Sequence, residues 1–205
     1  SVNLSTGSAL LAAACGLRVV KHGNRSISSR TGSADVLAAL GLALPLDETA
    51  AGALLEACGF TFLFAPHYHP AMKAIAPVRA ALGMRTVFNI LGPLMNPAEP
   101  PFHLLGAYSA PVARLMAETL AGMPIERAFV VHGAAGWDEP TPVGEFLLLD
   151  VRPGRVVEST CDPRSAGLER CATTALAGDD AAFNAAALAR TLRGTERGAL
   201  RDALA

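Results

Sequence analysis

The chain has 205 residues, a formal net charge of -1, 51% apolar residues and 17% charged ones. A near-balanced charge argues against a nucleic-acid or acidic-membrane binder, which carries a basic face. The length suits one α/β domain, or one domain with a small appendage, and is enough to bury a real core.

Other features narrow the class further. No apolar run reaches the ~18 residues of a membrane span, and no basic-apolar-small signal segment opens the chain. The four cysteines, Cys15, Cys58, Cys161 and Cys171, form no Cys-x-x-Cys pair. They read as buried or ordinary thiols of a reducing cytosol, without a disulfide or metal role. A start at Ser1, without Met, leads us to expect a fragment or a trimmed chain.

In chain order, Asn3-Leu4-Ser5-Thr6-Gly7 precedes a helix predicted over Ser8 to Cys15, capped by Ser and Thr and ended by Gly16. Leu17 to Val20 reads as a short strand, and polar Lys21 to Thr31 as a loop. Ser33 is the expected cap of a helix over Ala34 to Leu40, closed by Gly41. Asp47 is the expected cap of Glu48 to Cys58, closed by Gly59. Phe60 to Ala65 is a strand-length apolar run ended by Pro66. Pro70 opens a helix expected to run to about Leu82, kinked at Pro77. Thr86 to Leu91 is apolar and broken by Gly92-Pro93.

Further on, His103 to Tyr108 and Ala128 to Val131 read as strands around a helix over Pro111 to Leu120. Gly133 to Pro142 is a Gly/Pro-rich loop. Phe146 to Val151 and Arg155 to Glu158 flank the turn signal Pro153-Gly154. Asp179 to Leu192 is the last long helix expected, with a short tail after it. Strands alternate with helices and are continuously apolar. The expected fold is therefore α/β: a mostly parallel sheet flanked by helices, with part of a smaller helical subdomain. The expected divisions are 1–65, a helical excursion over 66–97, and 98–205.

Four polar clusters carry potential chemistry. Lys21-His22-Gly23-Asn24-Arg25-Ser26-Ile27-Ser28-Ser29 leaves a strand end, where α/β sheets bind ligands. Its cations, hydroxyls and glycine suit a phosphate, or else a solvated basic loop. Asn3, Ser5 and Thr6 stand at a helix start, which attracts phosphate, although plain capping explains them too. Asp138-Glu139 offers two adjacent carboxylates for Mg²⁺, or a solvated acidic turn. The segment His67-Tyr68-His69-Pro70, followed by Arg79, sets a guanidinium where it pairs with a substrate carboxylate, or merely solvates a helix.

Taken together and in order, these pieces resemble the anthranilate phosphoribosyltransferases. Asn3-Leu4-Ser5-Thr6, Lys21 to Ser29 and Ser33-Ala34-Asp35-Val36-Leu37 look like that family's phosphoribosyl-pyrophosphate loops. His69-Pro70-Ala71-Met72, Pro77-Val78-Arg79 and the run Arg85 to Pro97 look like its central signature. Gly136-Trp137-Asp138-Glu139 resembles its metal loop. The likeness covers nearly the whole chain.

The resemblance implies a nucleoside phosphorylase/phosphoribosyltransferase-like fold. It implies transfer of phosphoribose from 5-phosphoribosyl 1-pyrophosphate to anthranilate in tryptophan biosynthesis, with Mg²⁺, two ions per site. Ser1, Asn3, Leu4, Ser5, Thr6, Lys21, His22, Gly23, Asn24, Arg25, Ser26, Ile27, Ser28, Ser29 and Ser33 would hold the sugar diphosphate. Asn24 and Arg79 would bind anthranilate, with His22 and His69 lining its path. Ser5, Asp138 and Glu139 would hold the metal. The implied partners are these two small molecules, with neither nucleic acid nor membrane, in a cytoplasmic parent that is a homodimer. No Ser-His-Asp or Cys-His nucleophile is required, and no residue is assigned as a covalent catalyst.

The resemblance also sets expectations about what is missing. The family's Gly-Thr-Gly-Gly-Asp loop would stand just before Ser1, preceded by an N-terminal helical region. The C-terminal end stops early, and Gly178 to Asn184 matches the family's pattern only in part. The chain alone is expected to bind poorly and turn over little. Two rivals are a pyrimidine nucleoside phosphorylase-like enzyme and a non-catalytic nucleic-acid-binding relative of the fold. Lys21-His22-Gly23-Asn24 and Asp138-Glu139 speak against the first, and the near-zero net charge against the second.

Overall fold

The computed structural model of the chain describes residues 1–25, 30–70, 81 and 86–205. Its elements run α1 (Leu4–Ala14), β1 (Val19–Gly23), α2 (Ser33–Ala39), α3 (Glu48–Cys58), β2 (Phe60–Phe64), α4 (Ala65–Tyr68) and α5 (Phe88–Leu94). They continue with β3 (Phe102–Gly106), α6 (Ala110–Ala121), β4 (Arg127–His132), β5 (Phe146–Arg152), β6 (Arg155–Cys161), α7 (Ala181–Leu192) and α8 (Ala199–Leu204). They form two compact units. One is 1–98 with 178–196 and Leu204; the other is 99–177 with 197–203 and Ala205.

In the first unit β1 and β2 pair in parallel, from Val19 opposite Phe60 to Gly23 opposite Phe64. Phe62 is fully buried in a cluster with Ala13, Ala34, Leu37 and Phe60. Burying an aliphatic or aromatic side chain of this size stabilises by about 1.5–3 kcal/mol. Helix α3 starts where the Asp47 carboxylate accepts from the Ala50 N–H at 2.8 Å, and Gly59 ends it at φ 73. Helix α7 packs on α2 and α1.

The second unit is a four-stranded sheet in the order β3-β4-β5-β6. Helix α6 crosses between β3 and β4, which are parallel, while β5 and β6 run antiparallel. The helix buries Ala113, Met116, Ala117 and Leu120, and the sheet buries Ala128, Val130, Leu149 and Val151. Gly154, at φ 68, closes the β5–β6 hairpin.

The α/β class holds, and several details of it are corrected. The sheets are mixed rather than mostly parallel: β1–β2 and β3–β4 are parallel, and β4–β5–β6 is antiparallel. Apolar strands read alike in either direction, so the runs did not set the direction of β5 against β4, whereas the Pro153-Gly154 turn signal did give the antiparallel β5–β6 hairpin. Lys21, His22 and Gly23 are not loop residues but the last three of β1. Ser33 is the first residue of α2, and Gly32 is its cap; the Asp35 carboxylate accepts from the Gly32 N–H at 2.9 Å. Gly92-Pro93 does not break its segment, because α5 runs on to Leu94. A proline one turn from a helix end deletes only one of the last hydrogen bonds. All four cysteines are free, but none is buried: Cys15 and Cys58 are exposed, Cys161 and Cys171 half-buried. The helix expected from Pro70 to Leu82, with its Pro77 kink, lies outside the described residues for most of its length. Among the described residues, no helix is long and apolar enough to cross a membrane.

Candidate functional site

In the first unit, the carboxyl end of β1 and the first turn of α1 converge. Lys21 Nζ donates to the Ser5 hydroxyl at 3.0 Å. Strand β1 ends at Gly23, where an added Cβ would stand 3.1 Å from the Phe62 ring and 3.6 Å from Ser33 Cβ. That close approach brings Asn24 over the start of α2, where its carbonyl accepts from the Ala34 N–H at 3.3 Å. The Asn24 side-chain oxygen accepts from the Arg25 N–H at 2.7 Å, and Arg25 pairs with Asp35 at 3.0 Å. Ser5, Lys21, Gly23, Asn24, Arg25 and Ser33 thus share one corner of the unit. Ser26, Ile27, Ser28, Ser29 and Arg79 lie outside the described residues.

Asn3 does not behave as a simple cap, and Ser and Thr do not cap α1 either. Asn3 is the cap residue, in the left-handed region at φ 55, and its side chain caps nothing. Instead Asn3 Nδ2 donates to the Thr31 carbonyl at 3.2 Å, and Asn3 Oδ1 accepts from Asn184 Nδ2 at 2.8 Å. Ser1 is exposed and Leu4 is buried. Thr6 is fully buried, and its hydroxyl has no hydrogen-bond partner among the described residues. Asn184, Thr31 and Asp35, none of them assigned a ligand role from sequence, hold this corner together. The spacing of Asp35 three residues after Gly32 was a usable capping signal, whereas nothing local to Asn184 pointed to its partner Asn3, 181 residues away.

His22 and His69 are brought together, ring centroids 5.0 Å apart and edge to face. The Nε2 atom of each is buried without a hydrogen-bond partner among the described residues. Burial holds the His22 imidazole well below its usual range, at about 4; His69 lowers it further, and a backbone hydrogen bond to Gly92 pulls the other way. His22 is therefore neutral near pH 7. From the central signature, Asn96 Nδ2 donates to the Val20 carbonyl at 3.2 Å, tying that run to β1. Asn89 Oδ1 accepts from the Thr86 N–H at 2.9 Å, a local turn bond.

In the second unit, Asp138-Glu139 follows β4 and a short 3₁₀ turn over Ala134–Gly136. Parallel β3 and β4 end side by side, and the acidic segment lies across both ends. A Cβ at Gly106, the last residue of β3, would stand 1.8 Å from the Asp138 carbonyl oxygen. One at Gly133, just after β4, would stand 2.0 Å from the Glu139 carbonyl oxygen. Two glycines therefore let the loop settle on the strand ends, and the backbone there fixes where the carboxylates start. No cluster of three or more His, Cys, Asp or Glu that could hold a metal occurs among the described residues. Two hard oxygen donors are what Mg²⁺ takes from a protein when water and substrate phosphate supply the rest.

The family model described as "Glycosyl transferase family, a/b domain" matches residues 1–205. The chain is 48% identical to the anthranilate phosphoribosyltransferase of Rubrobacter xylanophilus, over 100% of this chain and 60% of that protein. Its fold is similar to the crystal structure of anthranilate phosphoribosyltransferase from Thermus thermophilus. The TM-score is 0.90 and the identity 46%, covering 99% of this chain and 60% of that one. It is also similar to the Saccharomyces cerevisiae anthranilate phosphoribosyltransferase in complex with PRPP and Mg. There the TM-score is 0.86 and the identity 28%, covering 98% of this chain and 57% of that one. The chain spans about 60% of the length of the curated relatives it matches. By the family match along its whole length, the chain belongs to the glycosyl transferase family and carries its α/β domain.

Proposed function

We propose that the parent protein is an anthranilate phosphoribosyltransferase. It would move phosphoribose from 5-phosphoribosyl 1-pyrophosphate to the amine of anthranilate and release pyrophosphate. The observation that carries this reading is the Lys21–Ser5 contact, which sets a cation and a hydroxyl at one strand end beside the start of α1. Lys21 and the hydroxyls of Ser1, Ser5, Ser28 and Ser29 would stabilise the departing diphosphate electrostatically. Asp138 and Glu139 of the second unit, and separately Ser5 of the first, are read as Mg²⁺ ligands, and Mg²⁺ would supply positive charge against the leaving group. Arg79 and Asn24 would hold anthranilate against the sugar carbon, a positioning role. His22 and His69 would line its path, their buried ring nitrogens serving its polar groups. The relative from Saccharomyces cerevisiae whose structure holds PRPP and Mg supports the diphosphate half of this reading. A second structure of that enzyme, in complex with 4-fluoroanthranilate, supports the acceptor half. We read the parent as a cytoplasmic homodimer of tryptophan biosynthesis.

The test is an assay of the full-length parent with both substrates and Mg²⁺, alongside thymidine phosphorolysis. Anthranilate consumption dependent on the sugar diphosphate is expected, with an Arg79→Ala variant showing a raised anthranilate KM. Phosphorolysis without anthranilate turnover would replace this reading by a nucleoside phosphorylase, and an unchanged KM would remove Arg79 from the site.

A further inference from the structure

We infer that Asn184 is a positioning residue for the diphosphate end of the substrate, acting through Asn3; this rests on the function proposed above. Asn184 is the fourth residue of α7 and is buried, 1% exposed. A buried primary amide must have its donors and acceptor matched. Here Asn184 Oδ1 accepts from the Asp179 N–H at 2.9 Å, and Asn184 Nδ2 donates to Asn3 Oδ1 at 2.8 Å. Asn3 Nδ2 donates to the Thr31 carbonyl at 3.2 Å, and the Thr31 hydroxyl donates to the Asp179 carbonyl at 2.8 Å. The four residues close a ring. Arg30 braces it from outside through Asp179 at 2.5 Å. At Gly178 a Cβ would stand 2.4 Å from the Ser1 carbonyl oxygen and 2.8 Å from Asn184 Oδ1, so the ring is packed against Ser1 as well.

The ring has a direction. Asn184 presents a donor to Asn3, and the Thr31 carbonyl presents an acceptor, so only one orientation of the Asn3 amide satisfies both. Asn3 is thereby held in a left-handed conformation, at φ 55. Its side chain is kept away from capping α1. The residues fixed in this way, Asn3 and Thr31, lie in or beside the two segments assigned to the sugar diphosphate, Ser1 to Thr6 and Lys21 to Ser33. Asn184 itself sits behind them, on α7.

The experiment is a double-mutant cycle on the full-length parent, with Asn184→Ala, Asn3→Ala and the pair. Calorimetric titration would use 5-phosphoribosyl 1-pyrophosphate with Mg²⁺, beside inorganic pyrophosphate with Mg²⁺. Each single variant is expected to weaken sugar-diphosphate binding by about tenfold, and the double no more than Asn3→Ala alone, since residues in one network are non-additive. The anthranilate KM should stay within about twofold, because a network acting through the diphosphate loops leaves the acceptor site alone. Should Asn184→Ala not fold, Asn184→Ser takes its place in the cycle. Additive losses, or an unchanged affinity in a folded Asn184 variant, would overturn the inference. Absence of sugar-diphosphate binding by the unmutated protein would instead sink the functional reading, and the inference with it.

Discussion

Lys21, the third residue of β1, donates through its ammonium to the hydroxyl of Ser5, in the first turn of α1, at 3.0 Å. The contact joins a strand end to a helix start that are 16 residues apart in sequence. An ammonium carries a full positive charge, and a hydroxyl both donates and accepts. A charged donor at the positive end of a helix adds to the dipole there rather than cancelling it. Such a corner favours an anion.

Replacing Lys21 by Met keeps much of the stem and removes the charge. A hydrogen bond to a charged group contributes about 1.5–3 kcal/mol, so sugar-diphosphate affinity should fall by roughly 10- to 100-fold. Thermal stability should change little, because a solvent-reached polar contact adds only about 0–1 kcal/mol. Calorimetry and a melting curve on the same sample separate the two. An unaltered affinity would leave Lys21 as a surface cation.

Gly106→Ala would put a methyl group 1.8 Å from the Asp138 carbonyl oxygen. Backbone cannot yield as a flexible side chain does, so the acidic loop must shift. A displacement near 1 Å can cost on the order of a hundredfold in rate. The variant should need more Mg²⁺ for half-maximal activity, and Asp138→Asn with Glu139→Gln should flatten the metal titration. Identical titration curves for the parent and both variants would make this loop a solvated acidic turn.

His22 also makes a pH prediction. Its folded value, about 4, lies below the ordinary 6.5 of an exposed imidazole. As pH falls through that window the unfolded chain takes up a proton that the folded one refuses, so folding stability declines. Above it, both states carry neutral His22 and the contribution is flat. Urea unfolding at about pH 5 and about pH 7.5 should show a smaller difference for His22→Gln than for the parent. Equal pH slopes in the two proteins would mean that another group controls the acid limb.

Some of this molecule was legible in its residue order. Asp47 capping α3, Gly59 ending it and Pro153-Gly154 turning β5 into β6 depend on partners only a few residues away. Local backbone geometry decides such features, and local sequence encodes them. The phosphate-type composition of Lys21 to Ser29 and the adjacency of Asp138 and Glu139 were visible for the same reason. The left-handed Asn3, the pairing of His22 with His69 and the laying of Asp138 over Gly106 were not visible. Each is set by residues distant in sequence and close in space.

The direction of β5 against β4 belongs with the second group, since an apolar strand reads the same whichever way it runs. Asn184 is the clearest case: its partner Asn3 is 181 residues away. Residue order alone determined which groups were available to bind a phosphate, a cation and an aromatic acid. Tertiary structure decided which of them face one another, because hydrogen bonds and burial act through space, and only the folded chain fixes those distances.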